Sequence, residues 1–321
     1  MPPDVVVNGN ITSRENAEPL TPEETIGDII DGTRRDSVAM SLMRRLPNMT
    51  AGSAKMPVLD MLPIADFQDG DIGLKAVSNM AWAKKQLVAG TIAVILPIPK
   101  AVLADAKYDI WGQARPACVE SIGRVFDHQV FNGGNPKAPQ EWPKGLIEMA
   151  VDAGNVVSLG DGIDLLDDIN VGLGKLEDQS YDITGIAAQK QLRAKFRGMR
   201  DKNNNFLFQT PTSGSDQNPF GIPIHYAGRG TWDRTAALAI FGEWENAVYS
   251  VREDMTFEVF REGVISNDEG KILYNLMQQN MIALRVEIRL AWQAVNPIDI
   301  DRDRTMFPFG VLRPSGGTPT P

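Results

Sequence analysis

The clearest hydrophobic pattern in the chain is an alternation of apolar and polar positions over residues 282–294. Apolar side chains occupy every second position, while Arg285, Glu287 and Arg289 occupy positions between them. A period of two is that of a β-strand with one buried face. The pattern therefore predicts a long strand here, and a shorter alternation over residues 255–260 predicts a second.

A second pattern has the period of a helix. Over residues 101–132, apolar residues recur at spacings of three and four, at Ile110, Ala114, Cys118, Ile122 and Val125. This spacing predicts a long amphipathic helix. We expect Pro116 to kink the helix or mark a short break before it. Cys118 lies on the apolar stripe, so we expect a buried packing residue.

The first hundred residues divide into three patterns. Residues 1–20 are polar and aperiodic, which is typical of a mobile arm. Thr21, Pro22 and Glu24 form a helix-start signal, and the helix is predicted to run toward Leu46. Residues 51–97 alternate in part around an acidic glycine turn, which predicts an extended β-hairpin. Because a lone hairpin is marginal in water, a neighbouring subunit is the simplest candidate to cover it.

The middle of the chain, residues 136–247, combines short helical and extended segments. Helices are predicted at residues 142–153, after a capping Asp161, and at residues 189–199. The second has an apolar face of Ile163, Leu166, Ile169 and Leu173. Strands are predicted at residues 181–186, 206–208 and 220–224, and the apolar stretch 236–241 is predicted to be central in a sheet.

Composition and charge exclude several classes of protein. The net charge of −9 argues against general adhesion to DNA or an anionic membrane. One cysteine and two histidines cannot form a four-ligand Cys/His zinc site. The sequence contains no phosphate-binding loop, metalloprotease motif or nucleophile elbow. We therefore predict no enzyme, cofactor, metal site or membrane partner, and a reducing compartment.

The order of several segments resembles the major capsid proteins of tailed bacteriophages, a fold that encapsulin shells share. The segments that carry the resemblance are Leu96–Leu103 leading into Asp109–Trp111 and Arg115–Pro116, Phe126–Gly133, Trp142–Leu146, Phe220–Ile224, and Asn280–Glu287 with Asn296–Pro297. The resemblance covers residues 50–312. It implies an α+β fold with an N-terminal arm, an extended β-hairpin loop, and two domains called peripheral and axial.

The resemblance also implies a domain organisation. The expected segments are an arm with its helix (1–50), the extended loop (51–97), the spine helix of the peripheral domain (98–135), the axial domain (136–247), the peripheral sheet (248–312) and a disordered tail (313–321). In this family the arm and loop reach over neighbouring subunits. The expected intersubunit contact residues are Phe67, Trp111, Arg285, Glu287 and Arg289.

Some members of this family form a Lys–Asn isopeptide bond between subunits. Asn280 and Glu287 match the spacing of the acceptor and the base, and Lys75 of the extended loop is the candidate amine. The alternative is a strand without such chemistry, as in relatives that form no cross-link. An SDS-resistant ladder would support the cross-link hypothesis.

The resulting function hypothesis is a structural capsid protein. It would assemble into pentamers and hexamers of an icosahedral phage head that encloses double-stranded DNA without sequence-specific binding. Scaffolding, portal and decoration proteins are the other expected partners, in the virion and, during assembly, in the host cytoplasm. An encapsulin-like compartment with protein cargo is the first alternative. A soluble enzyme that uses carboxylates such as Glu243 or Glu287 is the second.

Overall fold

The structure is a computed structural model of the chain. It describes residues 37–61, 63, 65, 67, 77–78, 80–105, 110–200, 202–205, 219–228, 231–233, 235–298, 302 and 305–315. The described residues fall into two compact units. The first unit contains residues 91–123 and 253–289, and the second contains residues 37–90, 124–252 and 290–315.

The described elements are six α-helices and thirteen strands, with two short 3₁₀ turns. The helices are α1 (Val38–Leu42), α2 (Lys100–Asp105), α3 (Ile110–Phe131), α4 (Leu146–Asp152), α5 (Leu165–Glu177) and α6 (Lys190–Gly198). The strands are β1 (Arg44–Arg45), β2 (Ser53–Met61), β3 (Ala81–Val88), β4 (Gly90–Pro99), β5 (Val156–Ser158), β6 (Gly185–Ala188), β7 (Ile224–Tyr226), β8 (Ala239–Gly242), β9 (Ala247–Phe260), β10 (Val264–Ser266), β11 (Ile272–Asn275), β12 (Met281–Ala294) and β13 (Phe309–Arg313). None of the described helices is long and apolar enough to cross a membrane.

The first unit is built on the long strands that the alternation predicted. The first unit contains residues 91–99 of β4, 253–260 of β9 and 281–289 of β12, strands of the sheet with the order β1-β9-β12-β4. In β12 the residues from Leu284 to Leu290 alternate between buried and partly exposed, which confirms the period of two. A small apolar cluster of Ile98, Val102, Leu103 and Ile110 packs the start of α3 against α2 and the end of β4.

The second unit contains a five-stranded sheet with the order β5-β13-β8-β6-β7. Strand β8 is its middle strand, and all four of its residues are buried, as the apolar stretch 236–241 predicted. Helices α5 and α6 contribute buried Ile169, Leu173, Leu192 and Phe196 to the core of this unit. The C-terminal β13 pairs with β8 and β5, so residues 309–313 belong to this sheet and not to a peripheral sheet.

Three predictions near the start of the chain need correction. Residues 21–36 of the predicted helix 21–46 lie outside the described residues. In the described part only Val38–Leu42 is helical, as α1, and Arg44–Arg45 pairs with β9 as strand β1. The returning strand of the hairpin is β3, because β4 joins the sheet with β12. The predicted helix 101–132 corresponds to α2 and α3, with residues 106–109 outside the described residues. Pro116 lies inside α3 with no break directly before it, and the kink stays a prediction.

Three predictions in the middle of the chain also differ from the structure. Asp164, not Asp161, caps α5, and it accepts hydrogen bonds from the amides of Leu166 and Asp167. Ile163 therefore precedes the helix, and 96% of its surface is exposed. The strand predicted from residue 181 begins only at Gly185, and the strand predicted at 220–224 begins at Ile224 after a 3₁₀ turn. The predicted strand 206–208 lies outside the described residues.

Two glycines of helix α5 allow a direct test of this packing. A Cβ at Gly172 would overlap the Phe241 ring, whereas a Cβ at Gly174 would meet nothing within 4 Å. We expect Gly172→Ala to lower the free energy of unfolding by about 1–3 kcal/mol through overpacking. Gly174→Ala is the matched control and should raise it by up to about 1 kcal/mol, because alanine favours a helix. Urea unfolding of both variants measures the difference, and equal stabilities would contradict this packing.

Candidate assembly surfaces

The β2–β3 hairpin has a firmly held base. Met49, Leu87 and Ala291 are buried together there, with Ala54 and Met56 packed against them. The indole Nε1 of Trp142 donates a hydrogen bond to the Val88 carbonyl at 2.7 Å. These contacts fix the direction in which the hairpin leaves the second unit.

Close packing beside Trp142 reinforces this base. A Cβ at Gly90 would lie 2.7 Å from Cζ2 of Trp142, so only glycine lets the chain pass the indole at this distance. Nε2 of Gln293 also donates a hydrogen bond to the Gln86 carbonyl at 3.2 Å. The end of the hairpin strand is thus tied to two other segments of the second unit.

The outer part of the hairpin, in contrast, exposes large apolar side chains. Met61 is 51% exposed, Trp82 is 60% exposed and Phe67 is 99% exposed. Single exposed apolar residues are common on proteins, but a concentration of them on one projecting element marks an interaction surface. The sequence predicted Phe67 as a contact residue, and the structure adds Trp82, whose exposure no periodicity indicated.

The polar face of β12 forms ion pairs within the chain. Arg285 lies 2.7 Å from Glu258 and 3.7 Å from Glu287, and Arg289 lies 2.9 Å from Glu253. The pairs with Glu258 and Glu253 join β12 to β9, whereas the pair of Arg285 with Glu287 lies within β12. All of the partners are partly exposed, so each pair stabilises the sheet by only about 0–1 kcal/mol.

Two of the predicted contact residues have intrachain roles. The guanidinium of Arg285 also stacks over the Phe260 ring, 5.0 Å from its centroid. Trp111 packs partly buried against the cluster around Ile98 and Ile110. Trp111 and Arg285 thus have contacts within the chain, and their contacts with a neighbouring subunit stay a prediction.

Two of the candidate cross-link residues, Asn280 and Glu287, lie far apart along β12. Asn280 directly precedes β12, and its carbonyl accepts a hydrogen bond from the Lys100 amide at 2.8 Å. Glu287 lies seven residues after Asn280, which corresponds to about 23 Å along an extended chain. Lys75 lies outside the described residues. A site that combines Asn280 with Glu287 would need the two residues from different copies of the chain.

Glu243, the other carboxylate of the enzyme hypothesis, belongs to a structural cluster. Its Oε2 lies 3.6 Å from the Arg302 guanidinium, which stacks over the Tyr181 ring at 4.4 Å. Burial raises the pKa of Glu243, and the charge of Arg302 opposes this rise. Tyr181 in turn donates a hydrogen bond to Asn296 at 2.6 Å. The cluster holds Arg302, which precedes β13, against Glu243 and Tyr181. The position of the Glu243 carboxylate is explained by its ion pair with Arg302. Among the described residues, no group of His, Cys, Asp and Glu could hold a metal ion.

A buried carboxylate that sequence reasoning missed holds the start of the described chain. Asp127 of α3 is 1% exposed and accepts hydrogen bonds from the Ser37 hydroxyl at 2.5 Å and from the amides of Val38 and Ala39 at 3.0 and 3.1 Å. It therefore satisfies the amino end of α1 from a position 90 residues away along the chain. We call this group of contacts, Asp127 with Ser37, Val38 and Ala39, the arm clasp.

The segment after the arm clasp is fixed as well. The Leu46 and Met49 amides donate hydrogen bonds to the carbonyls of Tyr249 and Val251 at 2.8 and 2.9 Å. The Ser250 hydroxyl donates to the Pro47 carbonyl at 2.7 Å. Residues 37–49 are thus attached at several points to α3 and β9.

Comparison with known proteins identifies the class to which this architecture belongs. The family model of the phage capsid family matches residues 18–300. The chain therefore belongs to the phage capsid family. Its fold is the one that the resemblance implied.

Individual relatives agree with this assignment. A structure from Microbacterium phage Oxtober96 is 32% identical and superimposes with a TM-score of 0.76, covering 92% of this chain and 94% of that one. A structure from Mycobacterium phage Adephagia is 24% identical with a TM-score of 0.74, covering 88% and 91% of the two chains. The major capsid protein of Staphylococcus phage 80alpha is 22% identical over 218 residues, which are 67% of this chain and 63% of that protein. The chain thus matches somewhat less than two thirds of that relative's length.

The arm clasp predicts a specific cost for replacing Asp127 with asparagine. Both carboxylate oxygens accept hydrogen bonds, so an amide would turn one acceptor into a donor that faces another donor. We expect Asp127→Asn to lower the free energy of unfolding by about 1–3 kcal/mol, measured by urea titration at pH 7. Asp178→Asn, at the exposed C-terminal end of α5, is the control and should stay within about 0.5 kcal/mol. If the free energy of unfolding of Asp127→Asn equals that of the wild type, the arm clasp does not stabilise the fold.

The same carboxylate predicts a pH dependence. Burial raises the pKa of Asp127 to about 6 from its ordinary value of 3.8, although the hydrogen bonds from Ser37, Val38 and Ala39 oppose this rise. Because the folded chain binds this proton more tightly than the unfolded chain, protonation of Asp127 stabilises the fold. This stabilisation is complete below the unfolded pKa and is lost as pH rises through the folded pKa. The stability of the wild-type chain relative to Asp127→Asn should thus decrease by up to about 3 kcal/mol between pH 4 and pH 7. A difference that stays constant over this range would contradict the raised pKa.

Proposed function

We propose that this chain is a major capsid protein that assembles into pentamers and hexamers of an icosahedral head enclosing double-stranded DNA. The observation that carries the proposal is the β2–β3 hairpin, in a chain of the phage capsid family. Its base is buried and hydrogen-bonded, but its outer part exposes Met61, Phe67 and Trp82. Another copy of the chain would remove these side chains from water.

Heterologous contacts of this kind lead to closed rings and shells. When one surface of a subunit covers a different surface of the next, the contact repeats until the rotation closes. A hairpin that projects from each copy and packs on its neighbour supplies such a contact. In this proposal the arm, the extended loop, the spine helix and the peripheral and axial domains keep their predicted bounds, except that β4 lies outside the hairpin and residues 309–313 belong to the five-stranded sheet.

The contents of the shell distinguish the two structural alternatives. An encapsulin-like compartment would share the fold but enclose protein cargo, whereas a phage head would enclose DNA. The chain belongs to the phage capsid family, and its relatives come from phages, which favours the phage head. A structural capsid family also favours a non-catalytic role over the carboxylate enzyme. Scaffolding, portal and decoration proteins would then be partners, with assembly in the host cytoplasm before the virion is complete.

Electron microscopy of the purified chain tests the proposal. We expect uniform round shells, or stable pentamers and hexamers in size-exclusion chromatography with light scattering. A monomer that persists at high concentration, and with crowding agent or a candidate scaffold present, would overturn the proposal. Absorbance of particles from infected cells at 260 nm, against co-purifying protein, separates the phage head from the encapsulin-like compartment.

The hairpin surface yields a sharper prediction. Trp82→Gln should leave the free energy of unfolding of the subunit within about 0.5 kcal/mol, because the side chain is exposed. It should nevertheless reduce the yield of shells at least tenfold, since each shell repeats the lost contact many times. Val171→Gln, on the exposed side of α5, is the control and should assemble normally. Normal shells from Trp82→Gln would remove this surface from the proposal.

The same particles test the cross-link hypothesis. An SDS-resistant ladder that disappears in both Lys75→Arg and Asn280→Asp would support a Lys75–Asn280 bond with Glu287 from another copy as base. We expect a single monomer band, because β12 has the features of a strand that relatives without a cross-link share. A ladder that disappears in both variants would overturn this expectation.

A further inference from the structure

The strongest charge concentration in the described chain lies on helix α6. The sequence from Lys190 to Arg200 contains five basic residues and no carboxylate. The whole chain, in contrast, has a net charge of −9. A basic surface on an acidic protein is the electrostatic feature expected where a polyanion binds.

Helix α6 presents these charges from a fixed position. Leu192 and Phe196 are 0% and 1% exposed and anchor one side of the helix in the core of the second unit. Before the helix, the Gln189 amide group donates hydrogen bonds to the carbonyls of Ala237 at 2.5 Å and Asp233 at 3.2 Å. The helix therefore cannot rotate, and its outer residues keep one orientation.

Three of the basic residues form a row on the exposed side. Lys190, Arg193 and Arg197 are all exposed and are spaced three and four residues apart, so they lie on one side of the helix. The row is about 10 Å long at the helical rise per residue. Arg193 stacks over the Tyr226 ring, 5.5 Å from its centroid, which holds its guanidinium in place. We call these three residues the basic row.

The basic row is not neutralised within the described chain. Among the described residues, no ion pair joins Lys190, Arg193 or Arg197 to a carboxylate. Lys195 and Arg200 differ, because they line a hollow together with Asp164 and Asp168. The basic row is thus the part of α6 that is available to an external anion.

We propose that the basic row binds the phosphate backbone of double-stranded DNA. A stretch of duplex about 10 Å long carries about six phosphates, so one row can approach two or three of them. Such binding is independent of sequence, weak for one copy, and additive over many copies. The inference rests on the proposed function, because DNA would have to lie against a shell of these chains.

An acidic segment of another copy is the competing occupant. Residues 1–31 contain seven carboxylates and one arginine. Their charges are spread along the segment, with clusters of at most two neighbouring acids, whereas the duplex presents an uninterrupted row of phosphates. The spacing of the charges therefore favours DNA over the acidic segment as the ligand of the basic row. The experiment below distinguishes the two.

The experiment uses the full chain and a fluorescent 20-base-pair duplex. Fluorescence anisotropy from 50 to 200 mM NaCl gives the affinity and its salt dependence. We expect the triple variant Lys190→Gln, Arg193→Gln, Arg197→Gln to lose about tenfold or more in affinity at 50 mM salt and to reduce the salt slope by about 3. The triple variant Lys137→Gln, Arg261→Gln, Lys271→Gln removes the same charge from exposed positions elsewhere and should behave like the wild type.

Several outcomes would overturn the inference. The first is that the wild type does not bind DNA at 50 mM salt, and the second is that both triple variants lose the same DNA affinity. The third is that the basic row binds a peptide of residues 1–31 and does not bind DNA. Shells that form from the control but not from the α6 variant would assign the row to a contact between copies. If the wild-type chain forms no shells at all, the proposed function fails, and the DNA titration still reports separately on the basic row.

Discussion

The structure depends on one physical constraint, which is that a two-stranded sheet cannot bury both of its faces. Strands β2 and β3 pair with each other in antiparallel orientation along most of their length. They do not cover the side chains of the outer part, where Trp82 and Met61 stay exposed. The hydrophobic effect therefore favours contact with another surface, and the chain reaches its lowest free energy only in an assembly.

An assembly of this kind needs projecting elements that leave the subunit in defined directions. The base of the hairpin meets this need through the buried cluster around Leu87 and through Trp142, whose indole contacts both Gly90 and the Val88 carbonyl. The arm clasp likewise holds residues 37–39 through the buried Asp127. In the hairpin the base is buried and its polar groups are paired, while Trp82 and Met61 of the outer part stay exposed. This division suits a subunit whose contacts form after it has folded.

Charge is distributed in a comparable way. The acidic and basic residues of β9 and β12 are paired across the strands, so they add little net attraction for a partner. The basic row of α6 has no such pairing among the described residues. A subunit with a negative total charge can thus carry one local surface that attracts an anion and leave the rest of its surface without strong attraction to DNA.

The sequence by itself determined the elements with a strong local period. The alternation in β12 and the apolar stripe of α3 from Ile110 to Ile122 follow from spacing, because burial on one face imposes the period. Val125 was placed on the same stripe but is 40% exposed. The buried β8 follows from an uninterrupted apolar run, because both of its faces are covered. Asp164 and Ile163 were misassigned because several aspartates near residue 161 offer equivalent caps. Only the tertiary structure decided that β4 leaves the hairpin, that β13 joins β8, and that Asp127 meets Ser37. These are contacts between segments distant in sequence, and no local pattern of residues encodes which distant partner satisfies a buried polar group or a strand edge.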